Sequence, residues 1–185
     1  LSDISSTLDE PAKARIGRQL GDFLKILHAT KVENAPEKSV DDEISQLQKW
    51  SKVALRYIDN KADKKTYSAV LNQVRFTLPS TLRTLGKTEG LCHGDFHTGN
   101  MLVHQEYIAV IDFVDSAYMD ISNDFVRVTD STILHAMSDT YGDAELLKQK
   151  IAIRNQAFDY TRLTVNIGKK DWEGADRAYK RIIKS

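Results

Sequence analysis

No charge of either sign predominates in this sequence: Lys plus Arg and Asp plus Glu each number 26, for a formal net charge of zero. A nucleic-acid partner, which selects for a basic excess, finds no support in that balance. Cysteine is nearly missing. The one residue, Cys92, has no partner for an internal disulfide, which fits a reducing cytoplasm. No apolar run of about 18 residues occurs, so no membrane span is expected. Leu1-Ser2-Asp3-Ile4 is neither basic nor apolar enough to open a signal peptide. There is no internal repeat, no low-complexity stretch and no Gly-x-Gly anywhere. With 41% hydrophobic and 28% charged residues, the composition excludes bulk disorder and suits a soluble globular chain of one domain.

What is present is mostly helical in period. Ile16, Leu20, Phe23, Leu24 and Leu27 predict a helix over about 10–28, opened by Asp9, Glu10 and Pro11. Ile44, Leu47, Ala54, Tyr57 and Ile58 predict a second over about 39–60, capped near Ser39. Tyr67, Val70, Leu71 and Val74 predict a third over about 64–77, stopped by Pro79, with one short turn after it. The pattern then changes. Gly90-Leu91-Cys92-His93 is short and apolar, with Cys92 expected as a small buried strand residue. Met101–Val103 and Tyr107–Ile111 are β-prone and read as a hairpin across His104-Gln105-Glu106. Helical spacing resumes near Asn123 and runs to Met137, and two more helices follow over about 143–166 and 171–183. The fold class is therefore α+β, predominantly helical, with a small β insertion. Trp50 and Trp172 lie on predicted helices, where core or interface packing is their default.

Four polar residues sit among apolar strand residues in the insertion: His93, Asp95, Asn100 and Asp112. Such a placement is costly unless each is hydrogen-bonded or holds a metal. Gly94 and Gly99 bracket a tight loop between them. Phosphoryl transfer needs this kind of set. One carboxylate orients the attacking hydroxyl and takes its proton, oxygen ligands hold Mg²⁺ against the nucleotide phosphates, and positive charge meets the transferring group. Asp95 suits the first role. Asn100 and Asp112 offer one amide and one anionic oxygen for a hard cation. Metal readings of other kinds are weaker. His93 and Asp95 with a distant histidine imitate an iron facial triad, but His104 and His135 lack the β-rich setting. His93 and His97 imitate a zinc pair, but His97 lies in a loop.

His93-Gly94-Asp95, then Asn100, then Ile111-Asp112-Phe113, resembles the aminoglycoside phosphotransferase and choline kinase-like family of small-molecule kinases. The resemblance implies the C-terminal lobe of a protein-kinase-like fold, with the hairpin carrying the catalytic and metal motifs. It implies Asp95 as catalytic base, Asn100 and Asp112 as Mg²⁺ ligands, and ATP as phosphoryl donor. It also implies supporting roles for Asp120 and Asp124, while His93 reads by itself as a buried orienting residue that bonds nearby backbone. Of these, Asp120 would brace the catalytic loop, and Asp124 is explained by capping a helix. Leu27-His28 matches a helix ending common in the family; the default for His28 is packing or contact with terminal carbonyls. Thr98 stands where proline is common, and Met119 and Ile121 where Gly and Pro are common, which leaves the substrate subgroup open.

The resemblance starts at the helix following the family's hinge. No β-rich segment of about 80 residues, the length a five-stranded nucleotide-covering sheet needs, precedes it. The expectation is a catalytic lobe alone, inactive without the other lobe and prone to self-association through an apolar face. A small hydroxyl-bearing substrate, aminoglycoside-like or another cationic or sugar alcohol, and a nucleotide are the expected partners. Carboxylates for a cationic substrate are available at Asp130, Asp139, Asp143, Glu145 and Asp159. The alternative is a non-catalytic binding or regulatory module that kept the lobe.

Overall fold

The computed structural model describes residues 7–85, 89–104, 107–142 and 144–184. Chain order is α1 (Glu10–Ala29), α2 (Val40–Asp59), α3 (Lys64–Asn72), α4 (Leu78–Thr84), β1 (Glu89–Cys92), β2 (Met101–His104), β3 (Tyr107–Val110), β4 (Ala117–Asp120), α5 (Ser131–Tyr141), α6 (Ala144–Gly168) and α7 (Trp172–Ile182). This is α+β with helix dominant, as the periodicity predicts. Asp143 and part of the hairpin turn lie outside the described residues.

The chain divides into two compact units. The first comprises residues 1–38 and 87–151 and holds the β insertion; the second comprises 39–86 and 152–185. In the first, Ile16, Leu20 and Leu24 of α1 bury against Ile133 and Met137 of α5, with Phe96, Met101 and Phe125 completing the core. Gly17 and Gly21 let the two helices approach closely. A Cβ on Gly17 would lie 2.5 Å from the Ile133 carbonyl oxygen, and one on Gly21 would lie 2.7 Å from that of Met137. In the second unit, Leu47, Ala54 and Ile58 pack with Val70, Val74, Leu78, Tyr160, Leu163, Ala175 and Ala178.

Local chemistry sets the element ends. Asp9 accepts from the Ala12 amide at the start of α1. Ser39 and Asp42 form a reciprocal capping box on α2. Three expectations need correction. Pro79 does not end the helical path: a π-helical turn over Gln73–Thr77 widens the chain, and Pro79 falls in the first turn of α4, where its missing N–H costs nothing. Helix does not resume at Asn123. Ile121–Asp124 is a single 3₁₀ turn, and α5 starts at Ser131, where Asp130 accepts from the amides of Thr132 and Ile133. Trp50 and Trp172 are 39% and 58% exposed, so of core and interface packing the core is excluded.

Two antiparallel two-stranded sheets build the insertion. The expected hairpin pairs Met101 with Val110 and His104 with Tyr107. The other sheet was not read from the sequence: β1 pairs with β4, Cys92 opposite Ala117 and Glu89 opposite Asp120. The segment after α1 lies along β4, where the Tyr118 amide donates to Pro36 O (2.7 Å) and Lys38 N donates back to Tyr118 O (2.9 Å).

Candidate active site

Strand β1 delivers buried Cys92 and then His93 to the start of the loop. Gly94 turns the chain at φ +83°, a left-handed conformation open to glycine, and a Cβ there would strike the Asp115 carbonyl. His93 is fully buried. Its Nδ1 accepts from the Asp95 amide (3.2 Å), so its Nε2 carries the proton and donates to Ile111 O (2.9 Å). The imidazole thus ties the loop to the end of β3 and orients it. Both ring nitrogens are taken. Although His104 does close strand β2, no facial triad or zinc pair can form through His93.

Two buried carboxylates lie behind this loop, and one of them anchors it. Asp124, fully buried, accepts from the amides of His93 (2.8 Å) and Gly94 (3.0 Å). It also accepts from His28 Nε2 at 3.1 Å, and Tyr141 closes the chain on His28 Nδ1 at 2.9 Å. Burial, reinforced by Cys92 and the two carboxylates, pushes the Tyr141 phenol up to about 12, so it stays protonated and donates. This corrects two sequence expectations. Asp124 is the brace of the loop that begins at His93, not a helix cap, and His28 belongs to that brace rather than to the helix carbonyls. Asp120 has the other role: it caps the 3₁₀ turn at Ser122 and pairs with Lys150 at 2.8 Å, both side chains 2% exposed. The donor atoms of His28, Cys92 and Asp124 lie within 4.8 Å of one another. The hydrogen bond of His28 to Asp124 accounts for two of them, and Cys92 Sγ donates to Met119 O and Asp120 O at 3.7 Å.

In front of the brace, the hairpin assembles the remaining groups. Asn100 closes the 3₁₀ turn Thr98–Asn100 immediately before β2. Its carbonyl accepts from the Ile111 amide (3.0 Å), extending the β2–β3 register by one pair, so Asp112 follows directly on the partner strand. Asn100 Nδ2 donates to Asp95 O (3.0 Å) and Asp95 Oδ2 (3.3 Å), which leaves its Oδ1 as the acceptor for another group. Asp112 is exposed and held at φ +66°, a conformation that Asp tolerates better than most residues. The donor set, one amide oxygen and one exposed carboxylate at the same end of a hairpin, fits a hard divalent cation.

Asp95 itself has a 23% exposed side chain. Two further groups stand around it, and only the second went unnoticed in the sequence. His97 Nε2 lies 3.4 Å from Asp95 Oδ2 while its Nδ1 accepts from the Gly99 amide (3.0 Å). Burial, followed by the nearby His93, lowers the His97 pKa, and Asp112 opposes that shift. The neutral ring with its proton on Nε2 is the form these contacts need. The second is Arg127, whose Nη1 donates to Asp95 Oδ1. A signal for it exists: Arg127 interrupts the apolar run Phe125-Val126-Arg127-Val128, whose other members are all buried. Of the carboxylates considered for a cationic substrate, Asp130 caps α5, Asp159 pairs with Arg162 and Arg181, and Asp139 meets His135.

Solved structures share this architecture. The GDP and kanamycin complex of APH(2")-IIIa superposes with a TM-score of 0.69 at 18% identity, covering 96% of this chain and 63% of that one. ADP-bound APH(2")-Ib gives 0.62 at 19%, covering 96% and 65%. Choline kinase LicA from Streptococcus pneumoniae gives 0.65 at 20%, also 96% and 65%. This chain therefore spans under two thirds of the length of those proteins, and its fold is that of the C-terminal lobe of the kinase-like architecture. No curated protein sequence matches it. Residues 1–164 match the model of the phosphotransferase enzyme family, APH, and the chain belongs to that family.

Proposed function

We propose that this chain carries the catalytic groups of a phosphotransferase that moves the γ-phosphoryl of ATP to a hydroxyl of a small molecule. The observation that carries the reading is the convergence of Asp95, Asn100 and the end of β3 on one loop, anchored by a fully buried Asp124. Family membership and the nucleotide complexes of similar structures support it.

In this reading Asp95 accepts the proton of the acceptor hydroxyl and orients it for in-line attack. Asn100 Oδ1 and the Asp112 carboxylate would hold Mg²⁺, which when bound neutralises phosphate charge. His93 holds the Asp95 amide, and therefore the direction of its side chain. The neutral His97 beside Asp95 adds a donor without adding charge. By resemblance, the acceptor is an aminoglycoside-like or other cationic or sugar alcohol.

The test is a panel of hydroxyl-bearing acceptors with Mg-ATP, including kanamycin and choline, on the full-length protein carrying this chain. Turnover of at least one acceptor is expected, with Asp95→Ala lowering the rate by about 10²–10⁴-fold, the usual worth of a general base. Wild-type turnover in Asp95→Ala would remove the base assignment. No phosphorylation of any acceptor and no ATP consumption would remove the reading as a whole.

A further inference from the structure

The contact between Arg127 and Asp95 gives the arginine a place in the reaction, on the reading above that Asp95 is the base. The two carboxylate oxygens are not equivalent. Oδ2 receives Asn100 Nδ2 at 3.3 Å, and His97 Nε2 lies 3.4 Å from it. Oδ1 receives Arg127. A carboxylate accepts about four hydrogen bonds, so Oδ1 keeps room for an acceptor hydroxyl, which there would lie beside the guanidinium. A hydroxyl bound there must receive its phosphoryl group next to Arg127. A guanidinium is a planar fork of N–H donors, which lets one edge stay on a carboxylate while another meets phosphate oxygens.

We infer that Arg127 is a further catalytic residue, supplying the positive charge that meets the phosphoryl group as it transfers beside Asp95. The acceptor oxygen forms its bond to the γ-phosphorus as the bond from that phosphorus to the β–γ bridging oxygen breaks. The leaving nucleoside diphosphate keeps the bridging electron pair, and the hydroxyl proton passes to Asp95 Oδ1. Charge on the three outer oxygens is then shared with the guanidinium.

The placement of Arg127 supports this role. It lies three residues beyond Asp124, the carboxylate that fixes the His93 and Gly94 amides, and between buried Val126 and Val128. One segment therefore positions both the loop and the guanidinium. At 38% side-chain exposure, the ion pair with Asp95 contributes little to folding.

The experiment compares wild type, Arg127→Ala and Arg127→Lys in the full-length protein. Calorimetry measures the affinity for Mg-ADP alone and for Mg-ADP with aluminium fluoride, a planar anionic stand-in for the phosphoryl group. Steady-state ATP turnover is measured alongside. The expected result is unchanged ADP affinity in Arg127→Ala, a loss of about 100-fold in the extra affinity conferred by aluminium fluoride, and a similar fall in kcat without a rise in KM. Arg127→Lys should recover part of both. Full retention of the fluoride increment in Arg127→Ala would overturn the inference, as would equal loss of ADP binding. A wild type that neither binds ADP nor consumes ATP would instead overturn the phosphotransferase reading, and this inference with it.

Discussion

Four aspartates lie within or behind one loop, and they divide into two pairs with opposite surroundings. Asp120 and Asp124 are 2% and 0% exposed, and each is met by a charged or ring nitrogen and by backbone amides. Asp95 keeps a quarter of its side chain in solvent, and Asp112 is exposed. A buried carboxylate is tolerated only when its hydrogen bonds are complete, so the first pair is committed to structure: Asp124 to the loop, Asp120 to the 3₁₀ turn and Lys150. An exposed carboxylate can wait for a ligand at little cost. On the proposed function the same residue type carries stability in one pair and chemistry in the other, and substitution should separate the two.

The largest effect is expected at Asp124. Asp124→Ala leaves the His93 and Gly94 amides and His28 Nε2 without their acceptor in a site closed to water. Losing one partner of a buried charged network costs about 3–5 kcal/mol, which urea unfolding monitored by circular dichroism would read directly. A change below about 1 kcal/mol would mean that the loop does not depend on this brace, and the comparison would fail on its buried side.

Asp112 tests the exposed side. Asp112→Asn keeps a residue that tolerates φ +66° and removes only the charge, so stability should stay within about 0.5 kcal/mol while phosphoryl transfer is lost. Asp112→Ala should cost about 1–2 kcal/mol, because alanine is strained in a left-handed conformation. Equal unfolding midpoints for the two variants would show that backbone strain plays no part here. Full activity in Asp112→Asn would show that its charge plays none.

The division between the pairs was only partly legible in the sequence. The stripes of α1 and α2 and the hairpin were readable because their signals are local: an amphipathic period, a capping box, β-prone runs around a polar turn. Strand β4 was not, because Ala117–Asp120 becomes a strand only by pairing with β1, far back in the chain. Asp95, Asn100 and Asp112 stood out by their spacing among apolar residues. The roles of Asp120 and Asp124 were exchanged in the reading, since both precede a helix and only tertiary placement shows which one faces His93. Lys150 gave no sign at all. A lysine in the middle of α6 looks like surface until Asp120 is brought against it.

The smallest expected effect links the two halves of the comparison through His97. Its pKa is lowered in the folded protein, chiefly by burial, and the exposed Asp112 pulls it the other way. In the pH window below the ordinary histidine value, the unfolded chain therefore binds more protons at this position than the folded one. Stability from this group is complete above that window and is lost as pH falls through it. His97→Gln should make the decline in stability between pH 7.5 and pH 5 shallower than in wild type, as measured by urea midpoints across the range. Asp112→Asn should make it steeper, because the opposing carboxylate is gone and the ring becomes harder still to protonate. The substitution at Asp112 would thereby change pH dependence while leaving stability at neutral pH in place, which no substitution at the fully committed Asp124 can do. An unchanged slope in both variants would show that His97 does not sense the exposed carboxylate.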